Sequence, residues 1–266
     1  MLELLEQLFR QVRAYAQSER FAGSQVYAQS PEHTTMQFDR DAEDIIISGL
    51  IDSGYGFEVL TEERPRFTTA PSPTHRIVID PIDGSNNVTR GIMTAGVSLA
   101  VLPIDAPIIG EQVQWALVGE LFSGTVYQAQ RGGGAFRNGR RCKASEEKDL
   151  AHCLAGINFD GRDVRTIQNI LTRQPIPAEV RRTGSSAIDS VYVASGTYDA
   201  FIDIGERLTG ESFLASSSIV LEAGGIVSDH LGKPLRPITN LEDTFSLVIA
   251  STRELHKAII NKISVH

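Results

Sequence analysis

The segment Asp80-Pro81-Ile82-Asp83-Gly84-Ser85-Asn86-Asn87 constrains this chain more than any other. It places two carboxylates three positions apart just after the apolar run Ile77-Val78-Ile79, which reads as a buried strand. Pro81 stiffens the backbone between the acids and Gly84 permits an unusual φ, so a turn here can aim both carboxylates at one point. Hard divalent cations such as Mg²⁺ take oxygen ligands. No His or Cys cluster offers a zinc site instead, the six histidines being scattered. Gly84, Ser85 and Asn86 also supply successive N–H groups that would cradle a phosphate if a helix begins there. A plain Asp83-Gly84 turn with Asp80 as a helix cap explains the segment alone equally well. Glu62 and Glu63, after another strand, tip the balance toward a cation, because third and fourth carboxylates near Asp80 repel without one.

Leu2, Leu5, Leu8, Phe9, Val12 and Ala16 recur at helical spacing and predict an N-terminal amphipathic helix. A second helix is expected from Arg40 to about Asp52, with Asp39 or Asp41 near its N-terminus. Strands are expected at 57–60, 76–79 and 94–101, then a hairpin of 115–122 and 125–130 around Ser123-Gly124. Gly132-Gly133-Gly134 has neither the GxGxxG nor the GxxxxGK[ST] pattern and reads as a tight turn. The second half predicts strands at 154–159, 198–203, 226–229 and 245–250, with helices at 162–172, 186–195 and 212–223. Alternating elements place the chain in the α/β class. A soft boundary where Arg140-Arg141-Cys142-Lys143 gives way to acidic residues divides the 266 residues into parts 1–145 and 146–266.

Lys and Arg number 25 against 33 Asp and Glu, a formal charge of −8 that argues against a broad electrostatic grip on nucleic acid. Cys142 and Cys153 form neither a disulfide framework nor a metal-ligand spacing, which favours a reducing interior. No apolar run approaches the roughly 18 residues of a membrane span. The acids Glu3 and Glu6 stand where a signal peptide needs bases, so a cytoplasmic location is expected and the Asn87-Val88-Thr89 sequon reads as chance. Serine-hydrolase and kinase readings lack GxSxG, a Walker loop and a Gly-rich ATP loop.

Taken in order, these segments resemble the inositol monophosphatase superfamily of Mg²⁺-dependent phosphatases. Its acidic strand end matches Thr61-Glu62-Glu63, its D-P-(I/L)-D-G-(S/T)-x-N signature matches Asp80 through Asn86, and its E-A-G-G turn matches Glu222-Ala223-Gly224-Gly225. Gly132 to Gly139 is similar to the family's K-G-x-G-A-(F/Y)-x-N-G segment, and Arg182-Thr183-Gly184-Ser185-Ser186-Ala187 to its R-x-x-G-(S/T)-(A/S)-A turn. The stretch from Ala194 to Asp203 most resembles the archaeal type that handles both fructose 1,6-bisphosphate and inositol phosphates.

The resemblance implies a layered α/β/α/β/α sandwich, with an N-terminal α+β part and a C-terminal α/β part, often a homodimer. It implies hydrolysis of a phosphorylated small molecule by a metal-activated water, with two or three Mg²⁺ ions for which Mn²⁺ can substitute. Glu62, Asp80, Asp83 and the Ile82 carbonyl would hold metal, and Asp39, Glu62 and Ser85 would serve catalysis. Asp83, Gly84, Ser85, Asn86, Gly184, Ser185, Ser186 and Asp203 would bind substrate.

One position departs from the pattern. The family's Asp ten residues before the E-A-G-G glutamate is Ser212 here, which cannot supply a charged ligand. Either Glu211 swings a carboxylate into the gap, or Glu211 faces solvent and Ser212 is an N-cap. A catalytically weakened phosphate-binding protein and a phosphatase of 3′-phosphorylated nucleotides therefore stand beside the sugar or inositol phosphatase as readings.

Overall fold

The computed structural model describes residues 1–21, 25–29 and 34–263, and the architecture below is that of these residues. Helices α1 (Leu2–Ala16) and α2 (Gln37–Asp52) flank an antiparallel ribbon of β1 (Val26–Gln29) and β2 (Thr34–Met36). The first sheet contains β3 (Phe57–Thr61), β4 (Arg64–Thr68), β5 (His75–Asp83), β6 (Gly96–Pro103), β7 (Trp115–Glu120), β8 (Val126–Gln130), β9 (Gly134–Arg137) and β10 (Arg140–Cys142). A short helix, α3 (Ser85–Thr89), separates β5 from β6. The strand order is β10-β9-β8-β7-β6-β5-β3-β4, antiparallel throughout except for the β3–β5 pair.

The second sheet contains β11 (Leu154–Asn158), β12 (Glu179–Arg181), β13 (Ala200–Thr209), β14 (Ile226–Ser228) and β15 (Thr244–Ala250), in the order β12-β11-β13-β15-β14. Strands β12, β11 and β13 run parallel, and β15 is antiparallel to both its neighbours. Helices α4 (Gln168–Thr172), α5 (Ser186–Ala194), α6 (Leu214–Glu222) and α7 (Arg253–Ile263) complete the fold.

Period-two alternation along the strands sorts the side chains into three apolar layers. On β5 and β6, Ile77, Ile79, Val97, Leu99 and Val101 face α1 and α2, where they meet Leu5, Phe9 and Ile46. Val78, Ala100 and Leu102 face the opposite way and share a core with Val191 of α5, Ile219 of α6, and Phe201 and Leu247 of the second sheet. The outer face of that sheet, Ile157, Ile202 and Val248, is covered by Ile170 of α4 and by Leu255 and Ile259 of α7. The result is the five-layer α/β/α/β/α sandwich. Each fully buried side chain of this size contributes about 1.5–3 kcal/mol. Phe9 is seated because β7 carries Gly119, whose added Cβ would lie 2.3 Å from the Phe9 ring.

The structure redraws several expected elements. The helix expected over 162–172 is a 3₁₀ turn, Val164–Thr166, followed by the five-residue α4, because Asp163 accepts from Arg165 N and ends the chain's approach as a cap. The 212–223 helix begins only at Leu214. Strands β4, β9, β10 and β12 and helix α7 were not expected, and the glycine run forms the turn that leads into β9. Among the described residues no helix is long and apolar enough to cross a membrane.

Candidate active site

Strand β5 continues past Ile79 through Asp83, and its neighbour β3 runs parallel with Thr61 opposite Ile79. Glu62 and Glu63 therefore leave β3 beside Asp80. Asp80 shares the face of Val78, which turns it toward the layer between the sheets, and it is 1 % exposed. Its Oδ2 accepts a bond from Ser212 Oγ at 3.0 Å. A cleft of about 430 Å³ opens here, and Asp39, Glu62, Asp80, Ile82, Asp83, Gly84, Ser85, Asn86, Gly184 and Ser212 all line it.

The carboxylates crowd one another. Burial first, then Glu62, Asp83 and Glu211, push Asp80 well above the usual carboxylate range. Glu62 is raised well above it too, by desolvation of its carboxyl and by Glu211, Glu63, Asp39 and Asp83. Because Glu62 as a residue stays exposed, repulsion is the firmer of its two causes. Burial lifts Asp39 to about 7 against the bond it accepts from Ser85, with Glu63 adding to the rise. Burial lifts Asp83 to about 6 and Glu211 to about 7.

Two oxygens in this cluster, Asp80 Oδ1 and Glu211 Oε2, are buried without a hydrogen-bond partner. An all-oxygen donor set with excess negative charge and orphaned carboxylate oxygens fits Mg²⁺ or Mn²⁺. Among the described residues no three His, Cys, Asp or Glu side chains are already arranged to hold an ion as they stand.

Asp39 sits in the first turn of α2, where its Oδ2 accepts from Met36 N at 3.1 Å. Its Oδ1 accepts from Ser85 Oγ at 2.6 Å, joining α2 to the start of α3. Asp83 reaches the other way: its Oδ2 accepts from Ser185 Oγ at 2.7 Å and from Ala187 N at 2.6 Å, docking the N-terminus of α5. Ser185 is the N-cap of that helix, accepting from Ile188 N. Ser185 and Ser186 do not line the cleft.

Asp203 does not line it either. Fully buried, it is held by Asn158 Nδ2 at 2.8 Å and by two guanidinium nitrogens of Arg162 at 2.9 and 2.8 Å. At the departing position, neither half of the N-cap alternative holds. Phe213 is the N-cap of α6, Ser212 bonds Asp80 instead, and Glu211 is 4 % exposed rather than solvent-facing.

Three contributors escaped the sequence reading. Glu43, wholly buried in α2, accepts from Thr61 Oγ1 at 2.7 Å and from Arg40 and Arg64, fixing the β3–β4 turn that carries Glu62. Asn87 donates its Nδ2 to both Thr94 O and Thr183 O at 2.8 Å. The final Asn of the D-P-(I/L)-D-G-(S/T)-x-N pattern falls on Asn87, which was the available signal. Asp189 binds the Thr183 N–H and had no sequence signal. Glu222 of the E-A-G-G turn accepts from Gly132 N at 2.7 Å and Gly134 N at 2.8 Å, which ties the glycine run to α6.

Comparison with known proteins agrees with this geometry. The fructose-1,6-bisphosphatase/inositol-1-monophosphatase of Methanothermobacter thermautotrophicus is 32% identical over 87% of this chain and 84% of its own. The inositol-1-monophosphatase of Mesorhizobium japonicum is 34% identical over 78% of this chain and 76% of its own. The crystal structure of the extragenic suppressor protein SuhB from Bartonella henselae superposes with a TM-score of 0.79 at 26% identity, covering 99% of this chain and 96% of that one. The inositol monophosphatase family model matches residues 1–266, and the chain belongs to that family.

Proposed function

We propose that this chain is a Mg²⁺-dependent phosphomonoesterase acting on a sugar or inositol phosphate, fructose 1,6-bisphosphate and inositol monophosphate being the candidate substrates. The observation that carries the reading is the pair of buried, unpartnered oxygens, Asp80 Oδ1 and Glu211 Oε2, in a cluster of carboxylates that repel one another. Glu62, Asp80, Asp83 and the Ile82 carbonyl would hold the metal, with Glu211 in reach of the same charge cluster. A bound divalent ion supplies charge neutralisation of the phosphate, a lowered pKa for water and stabilisation of the leaving oxygen.

The protein's own groups account for the rest. Asp39 Oδ1 accepts the Ser85 hydroxyl proton, so the pair presents a fixed acceptor and hydroxyl at the cleft wall. With its pKa lifted to about 7, Asp39 can take a proton at neutral pH. Asn86 at the start of α3 and Gly184 of the Thr183–Ser185 turn both line the cleft, with Gly184 lying against Gly84 and Asn87. The cleft's surplus of acids leaves an anionic substrate dependent on the cation for binding as well as for reaction.

Ser212 favours a second reading, a member with one metal position weakened, since its hydroxyl stands where a carboxylate would. Phosphate release from fructose 1,6-bisphosphate, inositol monophosphates and 3′-phosphoadenosine phosphate, across a Mg²⁺ titration, separates the two. Turnover on a sugar or inositol phosphate that rises with Mg²⁺ and vanishes in chelator is expected. Mg²⁺-independent turnover, or preference for the nucleotide, overturns the proposal. Phosphate binding without turnover supports the weakened member.

A further inference from the structure

We propose that Asp189 is a positioning residue for the substrate-facing turn Thr183–Ser185, an assignment that rests on the phosphatase reading above. Asp189 lies in the first turn of α5 and is 2 % exposed. Both of its carboxylate oxygens accept from one donor, Thr183 N, at 3.2 and 3.3 Å.

Helix capping does not account for this arrangement. The start of α5 is already satisfied, with Ser185 Oγ accepting from Ile188 N and Asp83 Oδ2 accepting from Ala187 N. Thr183 lies outside the helix, so the Asp189 carboxylate serves the turn that precedes it.

Every polar group of Thr183 is engaged. Its N–H goes to Asp189, its carbonyl to Asn87 Nδ2 at 2.8 Å, and its hydroxyl both receives from Ser185 N and donates to Ser185 O at 3.1 Å. Clamped at both ends, the turn holds Gly184 at φ +86°, where a Cβ would lie 2.8 Å from the Asn87 amide, and Gly184 lines the cleft. The clamp has one jaw on the metal-binding segment, at Asn87, and one on the second half, at Asp189. Asn87 shares its Nδ2 with Thr94, and Asp189 is the acceptor that holds the Thr183 N–H.

The test compares Asp189→Ala and Asp189→Asn with the unaltered chain, measuring KM, kcat, half-saturating Mg²⁺ and amide hydrogen exchange at Thr183 and Ile188. Asp189→Ala is expected to raise KM roughly tenfold, the size of one lost charge-assisted hydrogen bond. The kcat and Mg²⁺ requirement are expected to stay within about twofold. Asp189→Asn keeps one acceptor oxygen for Thr183 N and is expected to restore most of the KM. Exchange at Thr183 is expected to accelerate in Asp189→Ala while Ile188 stays protected.

Unchanged KM in both variants with a lowered Tm would overturn the proposal in favour of a purely structural role, as would equal loss of protection at Ile188. Should Asp189→Ala fail to fold, Asp189→Asn carries the test, with a KM two- to threefold above the unaltered chain expected. An unaltered chain that releases no phosphate refutes the phosphatase reading, and the exchange pattern then decides separately whether Asp189 holds the turn.

Discussion

Replacing Glu211 with Gln tests the charge cluster at one of its two buried unpartnered carboxylate oxygens. Burial raises the Glu211 carboxyl from its ordinary 4.5 to about 7, against a bond from Thr209 that lowers it and with Asp83 adding to the rise. Between those two values the folded chain binds more protons than the unfolded one, so stability falls as pH climbs through the window and is fully present below 4.5. At about 1.4 kcal/mol per pH unit, the ionised group costs the metal-free protein about 3 kcal/mol at pH 8. Gln removes the charge but buries an amide at a cost of about 1 kcal/mol, which leaves a net gain of about 2 kcal/mol. Urea unfolding in excess chelator should therefore show Glu211→Gln more stable than the unaltered chain at pH 8 and not at pH 4.5. Saturating Mg²⁺ should shrink or reverse that gap, because the cation relieves a repulsion that only the glutamate suffers. A gain of equal size at both pH values, or identical stabilisation of both proteins by Mg²⁺, would refute the reasoning.

Asp80→Asn should abolish metal-dependent phosphate release, and undiminished turnover in that variant would show that the site has been misassigned. Ser212→Asp sets a carboxylate within hydrogen-bond reach of Asp80, so it should destabilise the chelated protein yet lower the Mg²⁺ needed for half-maximal activity. A metal requirement unchanged by titration would exclude that position from the site. Asp203→Ala leaves Arg162, whose side chain is 10 % exposed, buried without its carboxylate and should cost about 3–5 kcal/mol by denaturant unfolding. A KM unmoved across the substrate panel would make Asp203 structural, whereas a tenfold rise would assign it to substrate hydroxyls.

What the sequence made legible were the elements whose own residues explain them. Strands β3 and β5 are apolar runs that stop at acids, and α1 carries its buried stripe at Leu5, Leu8, Phe9 and Val12. Asp39, Glu62, Asp80 and Ser85, drawn from three separate segments, meet around one cleft. Strands β4 and β12 escaped notice because their residues are polar and largely exposed, which leaves no alternation to read. Helix α7 buries only Leu255 and Ile259, too narrow a stripe to register. The 162–172 segment has helical spacing, but Arg162 is drawn inward to the buried Asp203, a partner 41 residues away. Glu43 was invisible for the same reason, since it bonds Arg64 21 positions on, and the role of Asn87, though the motif ends on it, depends on Thr183 96 positions on. Asp189 bonds Thr183 only six positions back, but a loop-to-helix contact of that kind has no periodic pattern to read.

The division of labour within the Asp83 carboxylate has a practical consequence for anyone watching this protein in solution. One oxygen grips the Ala187 N–H, while the residue as a whole borders the cleft. Electron density withdrawn from that carboxylate by an incoming charge must weaken its hold on the amide, and density returned must strengthen it. Ala187 is thus wired as an internal voltmeter, reading the electrostatics of a site it does not line from the far side of the interlayer. Its amide resonance offers a signal of occupancy built from the backbone, read without attaching a reporter group.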